Sequence, residues 1–398
     1  MMTIDEFQAT LQPTHPEIVI TRKQRRLQLL KLFIVAVVCA ITVVLTVIDV
    51  AKTVETYTQK QQLKTNIQKS IKTATLIHNL QKERGITALV WGLKIWKSVE
   101  HILLLETFRK RTDKTVLLLK DLDNTDSKNR HVWDIYSFSK ILKTFRSAID
   151  NQEKRRNISI TDHLYTYSSW VNEFISWLPQ YTATENLENY ANLVFAYQMI
   201  IQSKEEAAME RDLGGLHFIL GKNFSQGNTS WYNEKRIRAK NTLSTAFSFS
   251  HEINRNYDLL VKENNATLWI EQIEEQRHIL AFADTSKPSK ENALKWFDLM
   301  TLYNNLMLKL QINDGRRIED NVDKKIQLTI NTLVIRSLLL CFTLVVVPGI
   351  IISLLKVQNM FYQYTMSLYD KVGLEQGRTD FLMCENARHV EGKEGKKK

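Results

Sequence analysis

"QKERGITALVWG", residues 81–92, sets Arg84 inside a helical apolar stripe with a glycine at its side. At about 100° per residue, Ile77, Leu80, Ala88, Trp91 and Ile95 all fall within about 40° of Arg84, which puts the arginine on the inward face. Gly85 costs a helix about 1 kcal/mol relative to alanine, a cost that makes sense where a backbone or a bound group must come close. "SKEEAAMERDLGGLHFILG", residues 203–221, repeats the arrangement. There Leu193, Tyr197, Ile200, Gly215 and Phe218 share the face of Arg211, bordered by Ala207, Ala208 and Gly214. Met209, Leu213, Leu216 and Leu220 line the opposite face, a pattern that fits a helix buried all round.

An arginine withdrawn from water cannot escape its charge by losing a proton, so something anionic must meet it. Glu83 and Glu210 are sequence neighbours of the arginines and point about 100° away, which disqualifies them as intrahelical partners. Two readings fit the pattern. In one, Arg84 and Arg211 pair with carboxylates of facing helices, such as Glu205, Glu206 or Asp212, or reach solvent at a bundle edge. In the other, the two guanidinium groups converge on a small planar anion, for which their fork of donors is geometrically matched.

The surrounding sequence is that of a helical domain. Between Ala51 and Leu328 the prolines are Pro179 and Pro288, and long Leu/Ile/Lys/Glu/Gln-rich runs lack the alternation of strands. Ile67, Ile71, Ala74, Ile77 and Leu80 step by three and four, as do Trp296, Leu299, Leu302, Leu306 and Leu310. Residues 127–130 and 151–157 read as polar connections, 221–230 as a loop and 287–289 as a turn. Pro179 reads as a break, with Thr182 and Glu185 spaced as a capping box for the next helix. The expected class is all-α: two stacked helical bundles between two transmembrane helices, followed by a short cytoplasmic helix.

The spans are Leu32–Ile48 and Leu338–Leu355, completed by apolar flanks to 29–50 and 329–356, enough to cross a hydrocarbon layer of about 30 Å. The first run is longer than a signal peptide's, and no clear small-x-small cleavage site follows it. Arg22, Lys23, Arg25, Arg26 and Lys31 before it set residues 1–28 in the cytoplasm, and two crossings return 357–398 to the same side. Residues 51–328 then face outward at the plasma membrane. Arg336 lies near the outer end of the second span, within snorkelling reach of the headgroups, and Pro348-Gly349 marks a kink site.

The net charge of +11 is gathered in this amino-terminal cluster and in the Gly/Lys tail rather than on one folded face, an arrangement suited to cytoplasmic flanks and not to nucleic acid. Of three cysteines, Cys39 and Cys341 lie in the spans and Cys384 in the tail, which excludes a disulfide scaffold or a Cys-ligated zinc site from the outer segment. Sequons at Asn157, Asn223, Asn228 and Asn265 permit an extracellular location. Acid and imidazole groups at His251, Glu252, Glu271, Glu274, Glu275 and His278 lack an H-E-x-x-H spacing and read as solvated helical faces. No P-loop, GxSxG or dinucleotide fingerprint occurs, and no cofactor is implied. Trp91, Trp96, Trp170 and Trp177 read as core filler.

"LQKERGITAL" at Leu80–Leu89, and "SKEEAAMERDLGG" followed by "WYNEKRIRA" between Ser203 and Ala239, resemble the two signature regions of the nitrate- and nitrite-sensing (NIT) domain, over roughly Leu76–Leu310. The resemblance implies a pair of helical bundles and carries the family's nitrate or nitrite contacts onto Arg84 and Arg211. Lys204 shares the second face and adds charge. The long charged region Lys110–Arg156 departs from the family average.

"LEQGRTDFLMC" at Leu374–Cys384 is similar to the helical signalling linker of animal membrane receptor guanylate cyclases. The likeness stops at Cys384, before any cyclase domain, so the chain is expected not to make cyclic GMP itself. The expected function is a receptor subunit that senses nitrate, nitrite or a similar small anion outside and signals across the membrane. Its helix Phe361–Leu382 needs a partner to cover its apolar positions, either a second copy or a related receptor. A truncated receptor cyclase, or a non-catalytic partner of one, is the alternative.

Overall fold

A computed structural model describes residues 16–95, 99–123, 135–182, 191–282 and 287–394. Among these every regular element is helical, as the all-α expectation has it: α1 (Pro16–Gly92), α2 (Val99–Asp123), α3 (Ile135–Asp150), α4 (Gln152–Arg155), α5 (Ile160–Thr182), α6 (Ala191–Leu220), a 3₁₀ turn (Gly221–Asn223), α7 (Gln226–Phe249), α8 (His251–Glu263), α9 (Ala266–Phe282) and α10 (Lys290–Glu394). The chain forms two compact units, Tyr57–Leu328 and a second that takes in Met1–Thr56 and Thr329–Lys398.

Within Tyr57–Leu328 the helices gather in two sets. In the first, α1 packs with α2, α3 and α5. Phe138 of α3 meets Trp170 and Phe174 of α5 edge-on, and Asn79 of α1 donates to Thr115 of α2. In the second, α6 packs with α7, α9 and α10 around Met209, Leu213, Tyr232, Ile273 and Trp296, while α7 and α8 close a further cluster with Leu243, Ala246, Ile253 and Leu260. The two sets meet where α1 lies against α6, inside one compact unit. Every residue from Ser203 to Leu216 is buried, because α6 is covered on all sides.

Local sequence explains the ends. Gly221 follows α6 with φ +54, a left-handed backbone that glycine adopts without strain. Ser225 then caps α7 by accepting from the Asn228 amide, so the loop read over 221–230 ends five residues earlier than expected. Pro179 sits in the last turn of α5, which ends at Thr182. The expected restart at Glu185, the connection 127–130 and Trp96 lie outside the described residues.

The stripe on α10 differs from its expectation at one position. Leu302 is 47% exposed, and the inward face passes instead through Trp296, Met300, Leu306, Met307 and Leu310.

In the second unit the apolar runs keep large side chains on the outside: Phe33, Val38 and Leu45 of α1 and Leu338, Phe342 and Val345 of α10 are exposed. Half-buried or buried positions recur at alternating threes and fours, at Ala36, Cys39, Val43, Thr46, Val50 and Thr53 of α1, and at Thr329, Leu333, Arg336, Leu340, Thr343 and Val347 of α10. That period is the seam of a left-handed helix pair. Arg336 points across it rather than outward, since its Nη1 donates to the Asp49 carbonyl (3.2 Å) and to Thr53 Oγ1 (2.5 Å). α10 continues through Pro348, and a Cβ added at Gly349 would meet nothing within 4 Å.

Candidate functional site

Both Glu-Arg pairs lie on helices enclosed by others, so all four of their side chains are buried and each needs a partner of opposite charge. Glu83 is held by Arg146 of α3 through Nε–Oε1 and Nη2–Oε2, both 2.6 Å. Tyr167 of α5 (2.7 Å) and Thr112 of α2 (2.9 Å) also donate to it. Glu210 is held in the same way by Arg277 of α9, through Nε–Oε1 and Nη2–Oε2 at 2.7 Å each.

The backbone repeats the parallel. The Arg84 carbonyl receives His163 Nε2 of α5 at 3.2 Å, and the Arg211 carbonyl receives Trp296 Nε1 of α10 at 2.8 Å. Since a carbonyl can only accept, His163 carries its proton on Nε2, and burial pushes its pKa down to about 4, keeping it neutral. Around each signature helix the same two contacts therefore recur, a forked arginine on the glutamate and a ring N–H on the arginine's carbonyl.

The arginines meet where α1 lies against α6. Arg84, wholly buried, donates from Nε to Asp212 Oδ2 (2.7 Å) and from Nη1 to Glu205 Oε1 (2.6 Å). Burial disfavours its charge, and Glu205 and Asp212 more than offset this, leaving its pKa above the ordinary value. Arg211 donates from Nε to the other oxygen, Asp212 Oδ1 (2.9 Å), and from Nη2 to the Gln81 carbonyl (2.9 Å), with its guanidinium 4.6 Å from the centre of the Phe297 ring. The paired-carboxylate reading thus describes the geometry, with Glu205 and Asp212 as the partners. The two guanidinium groups also converge on one planar anion, and that anion is Asp212.

Gly85 is explained at the same place. A Cβ there would lie 2.1 Å from Arg211 Nη2 and 2.7 Å from Asp212 Oδ1, so it is the Arg211 guanidinium that needs the space. A small pocket opens beside it, lined by Gly85, Ala88, Leu89, Asp212, Gly215, Leu216, Ile219 and Phe297.

Lys204 is fully buried, and its ammonium donates to Gln311 of α10 rather than to a carboxylate. Burial pushes its pKa down to about 7, with Glu205 opposing the shift and Lys82 adding to it. His78 is held well below its ordinary value by burial and by Lys204, Lys82, Arg211 and Arg111; Lys82 is lowered by burial and by Arg211 and Arg111. Positive charge is therefore in surplus where α1, α2 and α6 meet. Arg84, Arg211 and Lys204 face the two carboxylates of Glu205 and Asp212, because Glu206 is taken by Lys235 (2.8 Å). An arrangement with one buried cation more than its carboxylates suits a small anion.

A family model described as nitrate and nitrite sensing (NIT) matches residues 75–327, both signatures included. The chain belongs to this family. The match runs further toward the carboxyl terminus than the resemblance read from sequence, and it stops short of 374–384. Among solved structures, "Structure of the NasR transcription antiterminator" is similar to the chain, with a TM-score of 0.58 and 17% identity over 77% of this chain and 83% of that one, a likeness of fold. No curated protein matches the chain in sequence.

The NIT domain places the remaining sequence-derived sites on its surface. Asn157, Asn223 and Asn265 are exposed and Asn228 is half-buried. Sequence reasoning missed Arg146, Arg277 and His163, and read Trp296 as a stripe residue without its bond to the Arg211 carbonyl. A usable signal was the near-equal spacing from each signature glutamate to a later arginine, Glu83 to Arg146 and Glu210 to Arg277.

Proposed function

We propose that this chain is a two-pass membrane receptor subunit whose NIT domain, outside the cell, binds nitrate, nitrite or a similar small planar oxyanion. The ligand sits between α1 and α6, held by Arg84 and Arg211 with Lys204 adding positive potential. Binding favours one packing of the two signature helices, α1, which continues into the first apolar run, and α6, which packs on α10, the helix that carries the second. The single observation that carries the reading is the convergence of one arginine from each signature on a single planar anion within a surplus of buried positive charge.

The membrane part of the reading rests on two long helices whose apolar runs expose large side chains, a surface that water does not tolerate and lipid does. The basic cluster before the first run puts both chain ends on the cytoplasmic side. A second copy, or a related receptor, covers the helix beyond the second span.

Calorimetry on the full chain in detergent tests the binding claim. Nitrate and nitrite should bind with one site per chain and chloride far more weakly, and Arg211→Lys and Lys204→Met should each weaken nitrate. No binding of either oxyanion, or nitrate binding indifferent to both substitutions, would remove these side chains from the site.

A second reading, in which the chain is a shortened form or non-catalytic partner of a receptor guanylate cyclase, is favoured by the resemblance at Leu374–Cys384, which lies within the continuous helix α10. Co-expression with such a receptor should alter its cyclic GMP output, while this chain alone produces none. Cyclic GMP made by the chain alone would overturn both readings.

A further inference from the structure

We infer that Asp212 is an internal stand-in for the ligand: the incoming oxyanion takes the place of its carboxylate between Arg84 and Arg211, and Asp212 thereby sets the affinity and the shape of anion the site accepts. This rests on the reading of the site given above. The geometry that points to it is a comparison of four arginines in one domain.

In an arginine side chain, Nε and Nη2 lie on one edge and form a fork that a carboxylate fills with two oxygens. Arg146 and Arg277 both use that edge fully, each gripping a glutamate with Nε and Nη2. Arg84 does not. Its Nε meets Asp212 Oδ2, while Nη2 on the same edge is buried and has no hydrogen-bond partner among the described residues. Asp212 is divided, one oxygen to each arginine, and leaves the Arg84 fork half-filled. A buried cationic donor left unmet is costly. An oxyanion whose two oxygens fill the Nε/Nη2 edge of Arg84 removes that cost, and a third oxygen, as in nitrate, is free to meet Arg211.

The seat survives the departure of Asp212. Arg84 remains anchored through Nη1 to Glu205, which Gln81 also holds. Arg211 keeps the Gln81 carbonyl and the Phe297 ring. Asp212 itself lines the small pocket beside Gly85. Because the seat is shaped by a carboxylate, it takes flat anions with two coplanar oxygens (nitrite, nitrate, formate) in preference to spherical chloride.

The experiment uses the full chain in detergent, as wild type, Asp212→Asn and Asp212→Ala, titrated with sodium nitrate, nitrite, formate and chloride, with helix content followed by circular dichroism. Asn keeps the shape and an acceptor for Arg84 while removing the competing charge, so nitrate should bind at least about tenfold more tightly than to wild type. Asp212→Ala leaves an empty seat; it should melt below wild type and recover more with nitrate, nitrite or formate than with chloride. Nitrate affinity unchanged in folded Asp212→Asn, or equal recovery of Asp212→Ala by chloride, overturns the inference. Should neither variant fold, wild type alone decides: infrared difference spectra should show a perturbed carboxylate band on nitrate binding, and no perturbed band overturns it. Wild type that binds nitrate beside an Asp212→Asn that binds no better sinks this inference and leaves the proposed function standing. Failure of all three chains to bind any of the anions sinks both.

Discussion

Gly85→Ala separates the account from ordinary helix physics, because the two give opposite signs. Alanine in mid-helix is favoured over glycine by about 1 kcal/mol, so on helix propensity alone the variant is the more stable chain. In this structure the added Cβ would lie 2.1 Å from Arg211 Nη2 and 2.8 Å from its Cζ. The end of an arginine can move, but this one is tied by Nε to Asp212 and by Nη2 to the Gln81 carbonyl. Hydrogen bonds of charged groups contribute roughly 1.5–3 kcal/mol each, so losing both costs roughly 3–6 kcal/mol. Net of the helix gain, the variant should be destabilised by roughly 2–5 kcal/mol. At roughly 2 °C per kcal/mol for a unit of this size, its thermal midpoint should fall by roughly 4–10 °C. Circular dichroism melts of full-length wild type and variant in the same detergent measure this, with Gly349→Ala as control, since a Cβ there meets nothing within 4 Å. A Gly85→Ala chain as stable as wild type, or more stable, would refute the close packing of Arg211 on α1.

Three other outcomes follow from the same geometry. Arg146→Met and Arg277→Met each strand a buried glutamate, Glu83 or Glu210, and should each cost roughly 3–5 kcal/mol in melts; near-neutral effects would show the forks to be dispensable. Lys204 has its pKa lowered from 10.5 to about 7, so between those values the unfolded chain holds the extra proton and wild-type stability should rise with pH. Nitrate, which favours the ammonium form, should bind more weakly over the same rise; Lys204→Met should flatten both trends, and a variant with the wild-type pH profile would exclude Lys204. Expressed through a secretory pathway, the chain should carry endoglycosidase-sensitive mass lost on substituting the exposed Asn157, Asn223 and Asn265 with Gln, and an unglycosylated product would count against an outer NIT domain.

Much of the site could be read in the sequence, because a 3.6-residue period marks which side chains turn inward. Arg84 and Arg211 stood out as cations on apolar faces, and Glu205 and Asp212 were among their nameable partners. The wheel marks α6 as buried all round, but it does not say what covers a helix on each of its sides. Glu83 and Glu210, set about 100° from their arginines, look solvent-directed on a two-sided helix. On α1 and α6 that direction meets α3 and α9, and Arg146 and Arg277 are waiting there. Gly85 announced a close approach without saying by what. Leu302 failed the opposite way: it kept the stripe's spacing, but Met300 and Met307 cover the core in its place. Arg336 read as a snorkelling side chain, while the half-buried seam on α1 offers it a nearer acceptor at Asp49 and Thr53.

The central claim is that one arginine from each signature shares a single anion seat, and a double-mutant cycle on nitrate binding tests it most directly. Nitrate dissociation constants would be measured by calorimetry for wild type, Arg84→Lys, Arg211→Lys and the double variant, all full-length and of matched helix content. A shared seat predicts that the losses do not add, with a coupling beyond about 1 kcal/mol. Losses that add within about 0.5 kcal/mol would mean that the two arginines act at separate places, and would contradict the account.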